Sequence, residues 1–417
     1  MLKAFKTEIN PTNEQKAIIN RTIGVTRFVA NQYLAHVTEV YNLGGSYVDY
    51  RSYTKWLNNT FIPMNPEFSW IKEVYQKSVK QGLSNVHQAF MKFFKGESDY
   101  PNFKTKKNQK TKMYFVKNDK NHVIEAERHR IKIPTLGWLR LKEKGYIPKH
   151  SDTIIIKSGT ISRKADKYFI SVLVQIPDNH HLIPNRNNSG IGGDMGIKDT
   201  LICSNDVVYP NINHTSKVKK LERKLKHEQK KLSRMYEINV DYYKTIGYTN
   251  QKVKGKINRI PKRKPIWKRP LKECKNIQKQ QLVLQKIYLR LSNIRNDYQN
   301  KIVNNLAKTK PNYITIENLN VKGMLKNKHL SKAISKQSLY TLRTKLIWKA
   351  SQGYFELREV SRWYPSSKLC NRCGEKKHNL KLKDRIFKCE HCGYENDRDS
   401  NASLNLKDAT VYTVLAG

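Results

Sequence analysis

Residues 370–392 hold two matched units, Cys370-Asn-Arg-Cys373-Gly and Cys389-Glu-His-Cys392-Gly, with 15 residues between them. No other feature restricts the folding of this chain as tightly. Each Cys-x-x-Cys pair grips one ion from a tight knuckle. Gly374 and Gly393 stand where such a knuckle turns through positive φ. Four thiolates in tetrahedral array suit zinc. A site made of four thiolates leaves no coordination position for water or substrate. The expectation is therefore a structural Zn²⁺ clip, not a catalytic metal. Cys203 and Cys274 stand alone and read as inert. Six cysteines in a chain with cytosolic character argue against a disulfide framework.

The 417-residue chain is long enough for two to four domains. It carries 80 Lys and Arg against 34 Asp and Glu, a formal charge of +46. The charge is spread along almost the whole chain. A compact protein repels itself at such a charge unless a polyanion neutralises it, and nucleic acid is the expected partner. A basic ribosomal-type protein or a membrane-surface protein is the blander alternative. No Lys/Arg-rich amphipathic helix with an aromatic apolar face favours a membrane. The start, MLKAFKTEINPTNEQ, lacks the apolar core of a signal peptide, and no apolar run approaches the ~20 residues of a membrane span. A cytoplasmic protein is expected.

Along the chain, LKAFKTEI reads as a strand, and Thr12 with Gln15 as a capping box. Helical spacing follows, with a break expected at Gly24. A second helix is expected from about Ser69 to Lys95, with Val79, Leu83, Val86, Phe90 and Phe93 on its apolar face. Strand-like segments alternate from 122 to 176, and a polar linker closes this part near residue 189. From Ile191 the order is strand hairpin, helix, strand, helix, strand, helix, an α/β pattern. Two long basic helices flank a Lys/Arg/Pro-rich insert, about 236–273, with little core. The last stretch, NASLNLKDATVYTVL, reads as a helix to the end.

Three acids occupy positions where α/β folds put their working groups, at strand ends and helix starts. Asp194 ends the strand in IGGDMGIK, Glu317 ends YITIE, and Asp399 opens the last helix in DRDSNAS. Each alone has a plain structural reading, as turn residue, surface residue and helix cap. Together they suit a phosphodiester nuclease, in which carboxylates hold two Mg²⁺ ions ~4 Å apart. Asp397 is the weaker rival of Asp399. Asn401 suits either a phosphate or water contact or a cap.

IGGDMGIKDTLIC, YITIENLNVKGML, YPSSKLCNRCG and CEHCGYENDRDSNASLNL resemble the motifs of the TnpB family, encoded by insertion sequences and similar to compact type V CRISPR effectors. WIKEVYQKSVKQGLSNVHQAFMKFFKG and YPNFKTKK resemble it too, so the likeness is nearly full-length. It implies an α/β RNase H-like RuvC domain at 190–365 and 395–417, with the zinc ribbon inserted at 366–394. It further implies an N-terminal β-barrel-like wedge unit at 1–10 and 97–180 carrying a helical recognition insertion at 11–96. The implied activity is RNA-guided, Mg²⁺-dependent DNA cleavage, with Asp194, Glu317 and Asp399 as catalytic acids and Cys370, Cys373, Cys389 and Cys392 as zinc ligands. The implied partners are a guide RNA from the right transposon end and double-stranded target DNA, bound by a monomer in a prokaryotic cell.

Two positions depart from the family pattern: Gly193, where the first motif usually reads G-I-D, and Ser403, where Ala is common. Lys77, Lys80, Gln81 and Gln88 are candidates for reading a short duplex motif, against a solvated helix face. Tyr100, Phe103, Lys104, Lys106 and Lys107 are candidates for backbone contacts. Three rival functions remain: a non-cleaving RNA-guided repressor or transposition accessory protein, a CRISPR-associated effector of the same fold, and a DDE-type transposase.

Overall fold

The computed structural model describes residues 2–106, 112–117, 124–177, 186–253, 256–381 and 384–416, with side chains at 251–258 excepted. The chain forms two compact units, Met1–Asn179 and His180–Gly417.

In the first unit, β1 (Leu2–Asn10) leads into α1 (Asn13–Asn42), whose start is fixed by reciprocal Thr12 and Gln15 capping bonds. The helix runs straight through Gly24, where a Cβ would meet nothing, so the expected break is absent. Next come α2 (Tyr50–Trp56), a π-helical turn Leu57–Phe61, α3 (Ile62–Met64) and a 3₁₀ turn Pro66–Ile71. The helix α4 (Gln76–Phe94) starts at Gln76, not Ser69, because Tyr75 is extended and the Gln76 side-chain amide ties back to the Ile71 and Val74 carbonyls. Its buried residues Val79, Leu83, Val86 and Phe90 join Val29, Tyr33 and Val37 of α1 in one core. Gly82 permits the crossing, since a Cβ there would strike the Thr26 methyl.

The strands β2 (Met113–Val116), β3 (Glu125–Ala126), β4 (Arg130–Ile133), β5 (Gly137–Leu141), β6 (Ile155–Lys164) and β7 (Lys167–Gln175) join β1 in a seven-stranded sheet. Its order is β2-β6-β7-β1-β5-β4-β3, antiparallel throughout. Period-two alternation in β7 buries Tyr168, Ile170, Val172 and Val174 against Met113, Phe115, Ile131 and Leu139. The helices α1–α4 thus enter between β1 and the rest of the sheet.

The second unit is built on β8 (Ile191–Asp194), β9 (Asp199–Cys203) and β10 (Val208–Pro210), followed by α5 (Ser216–Asn239). The basic insert is not a loop. It folds as one long hairpin, β11 (Val240–Val253) against β12 (Lys256–Trp267). Then come α6 (Lys275–Lys308), β13 (Tyr313–Glu317), α7 (Val321–Lys326), α8 (Ser331–Gln337), α9 (Leu339–Ala350) and β14 (Glu356–Val360). Ser338 at φ 55° separates α8 from α9, where one helix was expected. The small hairpin β15 (Ile386–Lys388) and β16 (Glu395–Asp397) precedes α10 (Arg398–Lys407). The chain does not stay helical: β17 (Thr413–Ala416) turns back and pairs with β14.

The six-stranded sheet has the order β10-β9-β8-β13-β14-β17. Its centre, β8-β13-β14, is parallel, and β9 and β17 run antiparallel on either side. The central strands are buried on both faces, which is why they read as apolar runs. Ile191, Ile314, Ile316 and Leu357 pack with Ile302, Val303 and Leu306 of α6 and Leu339, Leu342 and Leu346 of α9.

Candidate active site

Asp194 and Glu317 end the neighbouring parallel strands β8 and β13, so both carboxylates project at the same end of the sheet. Asp399 comes from the first turn of α10. That helix crosses β8 at backbone contact: a Cβ on Gly192 would collide with the Ser403 carbonyl and the Lys407 amide. The close crossing carries Asp399 to the strand end. Gly193 needs less room, as its Cβ would meet the Leu201 Cδ1 at 3.0 Å.

Asp194 senses the other two acids. Burial pushes the Asp194 carboxyl up to about 8, and the Glu317 and Asp399 carboxylates add to the rise. Arg398 opposes it. Burial also raises Glu317, while the Ser366 hydroxyl, donating to its Oε1, holds it down. Asp399 accepts from Arg398 Nη2 at 2.8 Å and from its Nε at 3.0 Å, with Arg385 Nη1 at 4.0 Å. Asp397, the rival of Asp399, caps the helix instead: its Oδ1 accepts from the Asp399 and Ser400 amides at 2.9 and 3.1 Å.

A cavity of about 280 Å³ in the same unit is lined by Met195, Asn318, Lys322, Tyr340, Arg343 and Arg362 among others. Met195 follows Asp194 and Asn318 follows Glu317 in sequence, while none of the three acids is among the lining residues. Arg343 donates twice to the buried Glu359, at 2.6 and 3.1 Å.

The four cysteines form a separate cluster. Their Sγ atoms all lie within 4.8 Å of one another, with Cys370–Cys392 and Cys373–Cys389 each at 3.6 Å. Tetrahedral Zn–S bonds of about 2.3 Å set S···S edges of about 3.8 Å, so the donor set fits zinc. Among the described residues only these four gather so tightly; the three carboxylates lie wider apart. Gly374 at φ 76° and Gly393 at φ 71° turn the two knuckles. Phe387 packs against the cluster and is fully buried.

Two asparagines lock this clip to α10. Asn401 is fully buried; its Nδ2 donates to the Leu369 carbonyl at 2.7 Å and its Oδ1 accepts from the Asn371 amide at 3.1 Å. Both its groups are thereby engaged by the clip. Asn405 Nδ2 donates to the Ser366 and Leu369 carbonyls at 2.7 and 2.8 Å. Ser366, Asn405 and Arg398 carried no role in the sequence reading. The signal for Ser366 was its place between a strand ending at the active end of the sheet and the first cysteine. Cys203 is buried, with its thiol pushed up to about 12 by burial.

In the first unit, Lys77, Lys80 and Gln88 lie on α4, and Gln81 is half-buried with its Nε2 donating to Asn85 Oδ1. Phe103 and Lys106 are exposed. Tyr100 packs its ring against Phe90 and Phe93, with its hydroxyl 2.8 Å from that of Thr38. The Lys104 backbone is held on both sides by the Asn31 side chain, and burial lowers the Lys104 amine below its usual range. Lys107 lies outside the described residues.

Three family models match the chain: a helix-turn-helix domain at residues 1–46, a probable transposase at 241–328, and a Cas12f1-like TNB domain at 340–406. A protein of Escherichia coli (strain K12) named as an RNA-guided DNA endonuclease, InsQ, is 26% identical over all of this chain and 94% of its own length. A Streptomyces pristinaespiralis protein named likewise is 26% identical, covering 100% of this chain and 91% of its own. The chain superposes on a Cas12f1 structure, solved as a complex with sgRNA and target DNA, with TM-score 0.56 at 13% identity over 98% of each chain. The fold is therefore that of Cas12f1. Over its whole length, and in the motifs around its three acids and four cysteines, the chain is thus similar to proteins named as RNA-guided DNA endonucleases.

Proposed function

We propose that the chain is an RNA-guided DNA endonuclease whose second unit is an RNase H-like RuvC domain with an inserted zinc ribbon. The names of its full-length relatives support this reading. The observation that carries it is the meeting of Asp194, Glu317 and Asp399, from three separate motifs, at one end of the sheet. Burial is the main cause of the upward push on the Asp194 and Glu317 carboxyls, and a bound cation would oppose it. Oxygen donors of this kind fit Mg²⁺. Bound there, magnesium supplies charge to the scissile phosphate and lowers the pKa of attacking water.

The chain's own groups do the rest. Asp194 and Glu317 offer carboxylate oxygens from rigid strand ends. Ser366 fixes one Glu317 oxygen by donating its hydroxyl to it. Arg398 and Arg385 hold the Asp399 carboxylate in place. Lys322 and Arg362, which line a cavity of the same unit, are the kind of side chain that contacts phosphates. Pairing with a guide RNA from the right transposon end selects the target, and the protein grips the heteroduplex by its backbone.

Sequencing the RNA that copurifies with the chain tests the reading. One specific transcript with a variable end, directing cleavage of matching DNA, is expected. Heterogeneous cellular RNA, with no cleavage directed by any of it, would reduce the chain to nonspecific binding.

A further inference from the structure

The hairpin of β11 and β12 has no core of its own. Twelve cross-strand pairs run from Val240↔Trp267 to Val253↔Lys256, so the arm reaches about 40 Å. Isolated two-stranded hairpins are marginal in water. None of its described residues enters a hydrophobic cluster. Its anchorage among the described residues is at the base, where Tyr236 packs on Trp267 and Asn239 Nδ2 donates to the Arg269 carbonyl.

Its surface says what covers it. Residues 240–267 carry eight Lys or Arg against one acid, Asp241. Lys244, Lys262 and Lys264 are exposed. So are Tyr242, Ile246 and Tyr248, at 56%, 52% and 55%. Arg259 lies over the Tyr248 ring at 4.3 Å, making an extended flat cation–π surface. Pro261 and Pro265 interrupt the N–H row of β12, which blunts strand-to-strand association.

Charge complementarity selects a polyanion. The choice between nucleic acids follows from the aromatics. A regular DNA duplex presents stacked bases and gives exposed tyrosines nothing to stack on. A folded RNA with bulges and loops offers unpaired bases, which proteins take on aromatic and guanidinium planes. We infer that this hairpin is an RNA-binding arm, which grips unpaired bases of a folded RNA with Tyr242, Tyr248 and Arg259 and the flanking phosphates with Lys244, Lys262 and Lys264. Under the proposed function that RNA is the non-pairing part of the guide, and to that extent the inference rests on that reading.

The test uses the full chain and its copurified RNA, labelled and refolded, beside a fully paired DNA duplex. One variant carries Lys244→Glu, Lys262→Glu and Lys264→Glu. A second carries Tyr242→Ala and Tyr248→Ala. Zinc content and melting midpoint serve as folding controls. The charge variant is expected to bind the RNA at least about ten-fold more weakly, with a salt slope shallower by about 2. The tyrosine variant is expected to lose about five-fold or more per stacked base, with no change in salt slope. Ultraviolet crosslinking of the unmodified complex, which needs no variant, is expected to map to peptides of 240–267. Unchanged RNA affinity in both variants, a loss confined to the DNA duplex, or crosslinks only elsewhere would each overturn the inference. Failure of the unmodified chain to cut DNA, with these RNA effects intact, would instead sink the endonuclease reading and leave the arm standing.

Discussion

Gly192 and Gly193 are neighbours in β8 with different duties. Gly192 is where α10 crosses at backbone contact, so no side chain fits. Gly193 faces the flexible end of Leu201. Gly192→Ala is expected to cost more than about 3 kcal/mol, or to prevent folding, because backbone must move. Gly193→Ala is expected to cost under about 1.5 kcal/mol. Chemical denaturation of both variants checks this. The sequence reading flagged Gly193 as the departure from the family; the spatial demand falls on Gly192, and only the crossing of a helix from the far end of the chain reveals it.

Asp194 allows a test that needs no substrate. Its carboxyl is raised from 3.8 to about 8 in the fold. A raised acid stabilises the fold fully below its unfolded pKa, and that contribution is lost as pH rises toward the folded pKa. Metal-free protein should therefore lose stability between about pH 4 and pH 8. Asp194→Asn, which stays neutral, should melt higher than the parent at pH 8, by about 1–3 kcal/mol, with the gap closing toward about pH 4. Mg²⁺ should raise the parent's midpoint at pH 8 and leave the variant's nearly unchanged.

Among elements, the zinc clip and α10 act as one piece. Asn401 and Asn405 satisfy the carbonyls of Ser366 and Leu369, and Ser366 in turn holds Glu317. Asn405→Ala leaves buried carbonyls unpaired and is expected to cost about 2–3 kcal/mol in thermal melts. Chelation of the zinc is expected to release the clip and lower the melting midpoint, since metal binding and local folding are coupled. A midpoint unmoved by chelator would mean the clip folds without metal.

The elements also show where the residue pattern is readable. The two Cys-x-x-Cys-Gly units declare their knuckles because metal geometry is local. The capping box at Thr12 declares the start of α1 for the same reason. The central strands β8, β13 and β14 show as apolar runs. The β11–β12 hairpin was unreadable, since Lys, Arg and Pro hide any alternation and no core enforces one. The break at Ser338 and the strand β17 are set by packing on α6 and β14, which short-range spacing does not report.

For the whole molecule, the charge of +46 dominates. Neither unit has acids enough to neutralise it, so the chain without nucleic acid bears a repulsion that binding relieves. Adding the copurified RNA is expected to raise the melting midpoint by several degrees at low salt, an effect that shrinks as salt rises. Composition made a polyanionic partner legible. The three acids were legible as a set from their places at strand ends and a helix start, and the resemblance carried by their motifs supports that set. Their supporting groups, Ser366 and Arg398, were not, because each acts through a contact that sequence distance conceals.

Under the proposed function, Asp194, Glu317 and Asp399 cut DNA chosen by a bound RNA. The most direct measurement is cleavage of a plasmid by the purified chain loaded with an RNA whose variable end has been redesigned to match it, beside Asp194→Ala loaded identically. Mg²⁺-dependent cutting at the matched site by the parent, a loss of at least about 1,000-fold in the variant, and equal RNA and target binding by both are expected. Undiminished cutting by Asp194→Ala, or cutting by the parent that ignores the redesigned RNA, would contradict it.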